Sequence, residues 1–215
     1  MLNILYFIEM NEKEYILKIY EILDKNSRDE IVFLDKRTPF QFLISVVLSA
    51  QTTDRIVNIV SKDLFEKYPD AEALAKADFD DVVALIKRIG LYKNKAKNII
   101  NCSKALVDKK IPDEIDELIK LPGVGRKTAN CVIGDIYHKG AVIVDTHVNR
   151  VLNKLKVVQI KDPTKIEMKI RSLLEDKYLY RFSMTVNLHG REYCHARKPD
   201  CKNCTLRELC PSKDE

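Results

Sequence analysis

Helix-start signals recur along almost the whole chain, and that punctuation constrains the fold more than any other feature. Asn11 followed by Glu14 has the spacing of a capping box, and Tyr15, Ile16, Ile19, Ile22 and Leu23 then recur at helical period. Thr38, Pro39 and Gln41 supply an N-cap, an N1 proline and a box partner for the apolar run Phe42 to Leu48, which reads as a buried helix. Asp54 is placed to cap the next helix, which ends before Pro69, and Asp70 and Asp78 to cap the two short ones after it. Asp162 with Pro163 opens a further helix with Ile166, Ile170, Leu173 and Leu174 on one stripe. Only Val142-Ile143-Val144 hints at a strand, too short to found a sheet. The fold class is therefore all-α.

Composition bounds the rest. The 215 residues make one large domain or two small ones, and 46% hydrophobic content suffices for a sizeable core. Lys plus Arg number 37 against 32 Asp plus Glu, a surplus of +5 that allows a polyanionic partner without demanding one. No run of 18 apolar residues exists to cross a membrane. The apolar start MLNILYFIEM holds an acid and lacks a basic n-region, so a soluble, unexported chain is expected, with Met10 as a second candidate start.

A weak internal likeness pairs Leu85-Ile86-Lys87-Arg88-Ile89-Gly90 with Leu118-Ile119-Lys120-Leu121-Pro122-Gly123, 33 residues on, and carries Ala96 and Ile100 onto Ala129 and Ile133. Each copy reads helix, Gly-centred hairpin, helix; two ordinary αα-hairpins of similar composition read the same way. The second copy continues as Leu121-Pro122-Gly123-Val124-Gly125-Arg126-Lys127-Thr128-Ala129-Asn130, a helix-hairpin-helix signature. Gly123 and Gly125 permit conformations and close approach that side chains block, so hairpin amides and the next helix N-terminus can face a phosphate. Lys127, near that positive helix end and beside Arg126, is expected to have a lowered pKa and some nucleophilic amine. A solvated, phosphate-binding lysine is the other reading. Asp145 in Val144-Asp145-Thr146-His147 suits either the partner of a cationic transition state or a plain helix N-cap. His147 is a structural hydrogen bonder as readily as a site residue.

Cys194, Cys201, Cys204 and Cys210 follow C-x6-C-x2-C-x5-C within seventeen residues, while Cys102 and Cys131 stand apart. Such crowding favours metal ligation over disulfides, as either Zn²⁺ or an iron–sulfur cluster; the lone C-x2-C pair leans toward the cluster. Arg197, Lys198, Lys202 and Arg207 would give that loop a basic skin for phosphates, or merely offset four thiolates.

Taken together, LPGVGRKTAN, VDTH and the four-cysteine spacing resemble the endonuclease III family of DNA glycosylases with lyase activity, over roughly Thr38 to Cys210. Leu48-Ser49-Ala50-Gln51-Thr52-Thr53-Asp54 and Ile89-Gly90-Leu91-Tyr92 match as well, with Thr52 standing where a small residue such as Ala is expected. The resemblance implies a two-domain helix-hairpin-helix glycosylase fold: a six-helix domain over about 32–139, inserted into a cluster domain made of 1–31 and 140–215. It implies a [4Fe-4S] cluster on Cys194, Cys201, Cys204 and Cys210, and catalysis by Lys127 as nucleophile and Asp145 as acidic partner, facing each other across the interdomain cleft. Gln51 and Leu91 would fill and wedge the gap left by an extruded nucleotide, while Gly123, Val124, Gly125, Arg126 and His147 contact DNA. The implied partner is double-stranded DNA carrying oxidised pyrimidines or abasic sites, bound by a monomer in the cytoplasm, at the nucleoid in a prokaryote. Adenine or mismatch glycosylases of the same superfamily generally lack the hairpin lysine, and most 8-oxoguanine lyases lack the cysteines. A non-catalytic DNA-binding module with structural zinc is the reading from another class.

Overall fold

The computed structural model describes residues 10–35 and 38–213, so most of the apolar start lies outside the described residues. It divides into two compact units, one of residues 1–31 with 139–215 and one of residues 32–138. Among the described residues every regular element is a helix, and none is long and apolar enough to cross a membrane.

The 32–138 unit holds α2 (Pro39–Ser49), α3 (Asp54–Lys67), α4 (Ala71–Ala75), α5 (Phe79–Ile86), α6 (Tyr92–Leu106), α7 (Ile115–Leu118) and α8 (Arg126–Ile136). α2 buries Leu43 through Leu48 without a polar face, and it packs on α3, α6 and α8, as an all-apolar helix must. Thr38 accepts from the Gln41 amide at 3.3 Å, but the Gln41 side chain does not close a box; its Nε2 donates to the Pro69 carbonyl at 2.8 Å. Asp70 and Asp78 cap α4 and α5 as read from sequence. Asp54 does not cap α3: Thr53 is the N-cap, and Asp54 stands in the first turn, where its charge suits the helix dipole.

The other unit holds α1 (Glu12–Lys25), α9 (Thr146–Lys154), α10 (Pro163–Leu173) and α11 (Asp176–Glu192), followed by a turn-rich loop. The Asn11 capping box is complete in both directions, and Asp162 caps α10. Ile16, Ile19 and Leu23 of α1 share a core with Val148, Val151 and Leu152 of α9, Ile166 and Ile170 of α10, and Phe182 and Val186 of α11. Each such side chain stabilises the unit by about 1.5–3 kcal/mol. Leu206 and Leu209 bring the cysteine loop into this same core, and the Tyr15 hydroxyl ties α1 to it through the Leu155 and Leu209 carbonyls. Val142-Ile143-Val144 is no strand. It runs irregular and buried, and Val142 and Val144 enter the core directly ahead of Asp145.

Candidate nucleic-acid interface and active site

The two hairpins are related but not superposable by register. Ala96 and Ala129, and Ile100 and Ile133, are all buried at equivalent positions of α6 and α8. Ahead of the turn the anchors slip by one: Ile86 is buried in the first copy and Leu118 in the second, leaving Ile119 43% exposed. The second turn is the longer, and its left-handed residue is Gly123, at φ +79. A Cβ there would stand 2.9 Å from Asn98 Cβ and 3.1 Å from Val47 Cγ1, so glycine is required twice over. Gly125 is different: its φ of −93 suits any residue and a Cβ would meet nothing within 4 Å. The packing of the hairpin itself therefore does not require glycine at this position.

Gly125 is also the N-cap of α8, which has no side-chain cap and no acid in its first turn; Arg126 and Lys127 begin the helix instead. A helix N-terminus with no side-chain cap, no first-turn acid and two cations in its first turn carries the charge that suits an anion. Lys127 is exposed, whereas Val124 is 6% exposed, so the Val124 side chain anchors the hairpin.

Gln51 and Leu91 are both exposed and both left-handed, at φ 54 and 57, without being glycine. Such conformations cost roughly 1–2 kcal/mol each and persist where surrounding structure imposes them. The two sites adjoin, since the Cβ position of Gly90 lies 3.3 Å from the Gln51 carbonyl oxygen. Sequence reasoning missed the residue that bonds the chain on both sides of Gln51: Lys95, 5% exposed, donates from Nζ to the Leu48 carbonyl at 2.9 Å, to the Ala50 carbonyl, and to Thr52 Oγ1 at 3.1 Å. Burial lowers its pKa. Its position on the buried stripe of α6, with Ala96, Ile99 and Ile100, is the signal that could have found it.

Asp145 begins α9 in the other unit. Oδ1 accepts from the His147 and Val148 amides at 2.9 and 2.8 Å, so the N-cap reading holds. Oδ2 accepts from Asn187 Nδ2 at 2.7 Å, and Arg191 Nε donates to Asn187 Oδ1 at 2.7 Å. A capping carboxylate is thus also oriented from α11, by two residues that the sequence did not single out. His147 Nδ1 lies 3.1 Å from Arg150 Nη2, and Arg150 continues to the Gly190 and Cys194 carbonyls at 2.8 and 2.9 Å, reaching the start of the cysteine loop.

The four cysteines are free thiols lining one cavity of about 120 Å³, with Arg150, Lys154 and Arg207 also in its wall. Among the described residues no three His, Cys, Asp or Glu side chains cluster closely enough to hold a single metal ion. Burial raises the pKa of Cys194 and Cys210 and pushes Cys204 up to about 11, so ligation would have to drive the loss of these protons. Burial likewise lowers His189 to about 4, leaving a neutral imidazole whose Nε2 lies 3.5 Å from Cys204 Sγ. Cys102 is buried elsewhere and Cys131 lies within α8.

Comparison with known proteins places this geometry. Residues 44–176 match the model of the HhH-GPD superfamily of base excision DNA repair proteins. Endonuclease III of Synechocystis sp. is 41% identical over 206 residues, covering 94% of each chain. Two solved structures at 37% identity and TM-score 0.89 are a non-covalent endonuclease III–DNA complex, covering 95% of this chain and 97% of that one, and a trapped endonuclease III–DNA covalent intermediate, covering 95% and 98%. With an open basic helix end after a fixed glycine hairpin, and likeness along nearly its full length, the chain belongs to the endonuclease III family of base excision DNA repair proteins.

Proposed function

We propose that this chain is a bifunctional DNA glycosylase and abasic-site lyase that removes oxidised pyrimidines from duplex DNA, with Lys127 as its nucleophile. The observation that carries the reading is an exposed primary amine in the first turn of a helix whose N-terminus is open to an anion. The hairpin backbone from Gly123 to Arg126 holds a phosphate, which brings the neighbouring sugar to Lys127. The damaged nucleotide leaves the stack, Gln51 and Leu91 occupying the space behind it. Lys127 Nζ forms a bond to the anomeric carbon through its nitrogen lone pair while the bond to the base breaks. The carboxylate of Asp145, held by Asn187 and the α9 amides, stabilises positive charge on the sugar and assists proton transfer. Ring opening yields a Schiff base, which acidifies the adjacent sugar proton. Loss of that proton expels the 3′ phosphate by β-elimination, and water then releases Lys127. The trapped covalent intermediate of the similar endonuclease III supports such a step.

Cys194, Cys201, Cys204 and Cys210 would hold a [4Fe-4S] cluster. Their common cavity and their freedom from disulfides support it. When bound, the cluster supplies four thiolate bonds that stabilise the loop and its basic surface; His147 lies toward this surface through Arg150. The test is a duplex with one oxidised pyrimidine. Release of the base with a β-eliminated strand end is expected; base release leaving the abasic strand intact would reduce the reading to a glycosylase alone.

A further inference from the structure

The Lys95 cluster carries an inference beyond the residues already assigned, resting on the reading that Gln51 and Leu91 enter the duplex. Lys95 spends its three donors on three neutral oxygens inside the 32–138 unit. Two of these, the Leu48 and Ala50 carbonyls, end α2 at the negative pole of its dipole, directly before Gln51. The third is the hydroxyl of Thr52, directly after it, at a position where the family resemblance leads one to expect a small residue. Leu91 lies one helical turn before Lys95, so one ammonium is joined to both flanks of Gln51 and, through α6, to Leu91. An apolar side chain would fill the same space without the desolvation of a charge. We infer that Lys95 is a positioning residue, whose ammonium keeps Gln51 and Leu91 in the left-handed conformations from which they enter a damaged duplex, and that Thr52 Oγ1 tightens this hold in the present chain.

A double-mutant cycle reads it. Nucleotide extrusion is followed by the fluorescence of 2-aminopurine beside the lesion, and affinity for undamaged duplex is measured in parallel. Lys95→Met takes the ammonium from the buried Leu48 carbonyl and from the Ala50 carbonyl, which keeps only the Thr52 hydroxyl at 3.4 Å, and should slow extrusion by about tenfold to a hundredfold, with affinity for undamaged duplex kept within about twofold. In a Gln51→Ala, Leu91→Ala background the same change should cost less than about twofold, because its targets are gone. Thr52→Ala, the milder change should Lys95→Met fail to fold, is expected to slow extrusion a few-fold in the parent and not in that background. Unchanged extrusion in either variant, or an equal loss in both backgrounds, overturns the assignment. Parent-like extrusion by the Gln51→Ala, Leu91→Ala chain itself would remove the reading underneath and the proposal with it.

Discussion

Gly123→Ala and Gly125→Ala, two residues apart in the hairpin, should behave as different kinds of mutation. At Gly123 an alanine must hold φ near +79, which costs an L-residue roughly 1–2 kcal/mol. Its methyl must also find room where Asn98 Cβ stands at 2.9 Å and Val47 Cγ1 at 3.1 Å. Asn98 Cβ sits next to its own backbone and Val47 lies on buried α2, so neither can swing aside, and overpacking of this kind adds about 1–3 kcal/mol. A total of about 2–5 kcal/mol converts, at about 2–4 °C per kcal/mol for a chain of this length, to a melting point lower by about 4 to 20 °C. At Gly125 the backbone is ordinary and the space is empty. Alanine is a poorer N-cap than glycine but restricts the unfolded chain, and the two effects leave stability within about 1 kcal/mol of the parent. Calorimetric or urea unfolding gives the stabilities, and titration with undamaged duplex the affinities. Gly125→Ala should weaken duplex binding while melting like the parent, since its methyl points where a phosphate would sit. A Gly123→Ala chain melting within about 2 °C of the parent would refute the packing argument.

Asn187→Leu takes the donor from Asp145 Oδ2 and should slow base release by about tenfold to a hundredfold while sparing cleavage of a preformed abasic site; single-turnover rates on the two substrates separate these. Asp145→Asn should lose more, about 10² to 10⁴ on the intact lesion, and retain trapping on the abasic site. Anaerobically purified protein should be yellow-brown with about four irons per chain; Cys204→Ala should lose them and a Cys102→Ala, Cys131→Ala chain should not, whereas stoichiometric zinc would contradict the cluster. Burial, with the Cys210 thiol near Tyr15 and the Asp81 carboxylate hydrogen-bonded to Tyr68, pushes both phenols up to about 12. A folded-state value above the unfolded one of about 10 means that their stabilisation is complete below about pH 10 and lost as pH rises through 12. Absorbance at the tyrosinate band during alkaline titration should show a late-ionising class, reduced by Tyr15→Phe and by Tyr68→Phe.

Local chemistry was legible and long-range chemistry was not. Asn11, Thr38, Asp70, Asp78 and Asp162 could be read as caps because each bonds an amide three residues away. Gln41 has the local spacing of a box partner, but its side chain donates from Nε2 to the Pro69 carbonyl, 28 residues on, and Thr53 rather than Asp54 takes the N-cap position of α3, without a side-chain hydrogen bond. Apolarity alone suggested a strand at Val142 to Val144, yet burial without a partner strand satisfies the same pattern. The motif residues of the candidate site stood out because their types and spacings are unusual. Their supports did not: Lys95 meets α2 across 47 residues and Asn187 meets Asp145 across 42, and no local pattern encodes either meeting. The two hairpin glycines look equivalent in sequence, and only the packing around Gly123 separates them.

The central claim is a covalent bond from Lys127 to the sugar, and borohydride trapping tests it most directly. Parent protein incubated with abasic duplex and borohydride should give a protein–DNA adduct that survives denaturing electrophoresis, and Lys127→Gln should give none while still binding the duplex. Undiminished trapping by Lys127→Gln would place the nucleophile elsewhere and contradict the account.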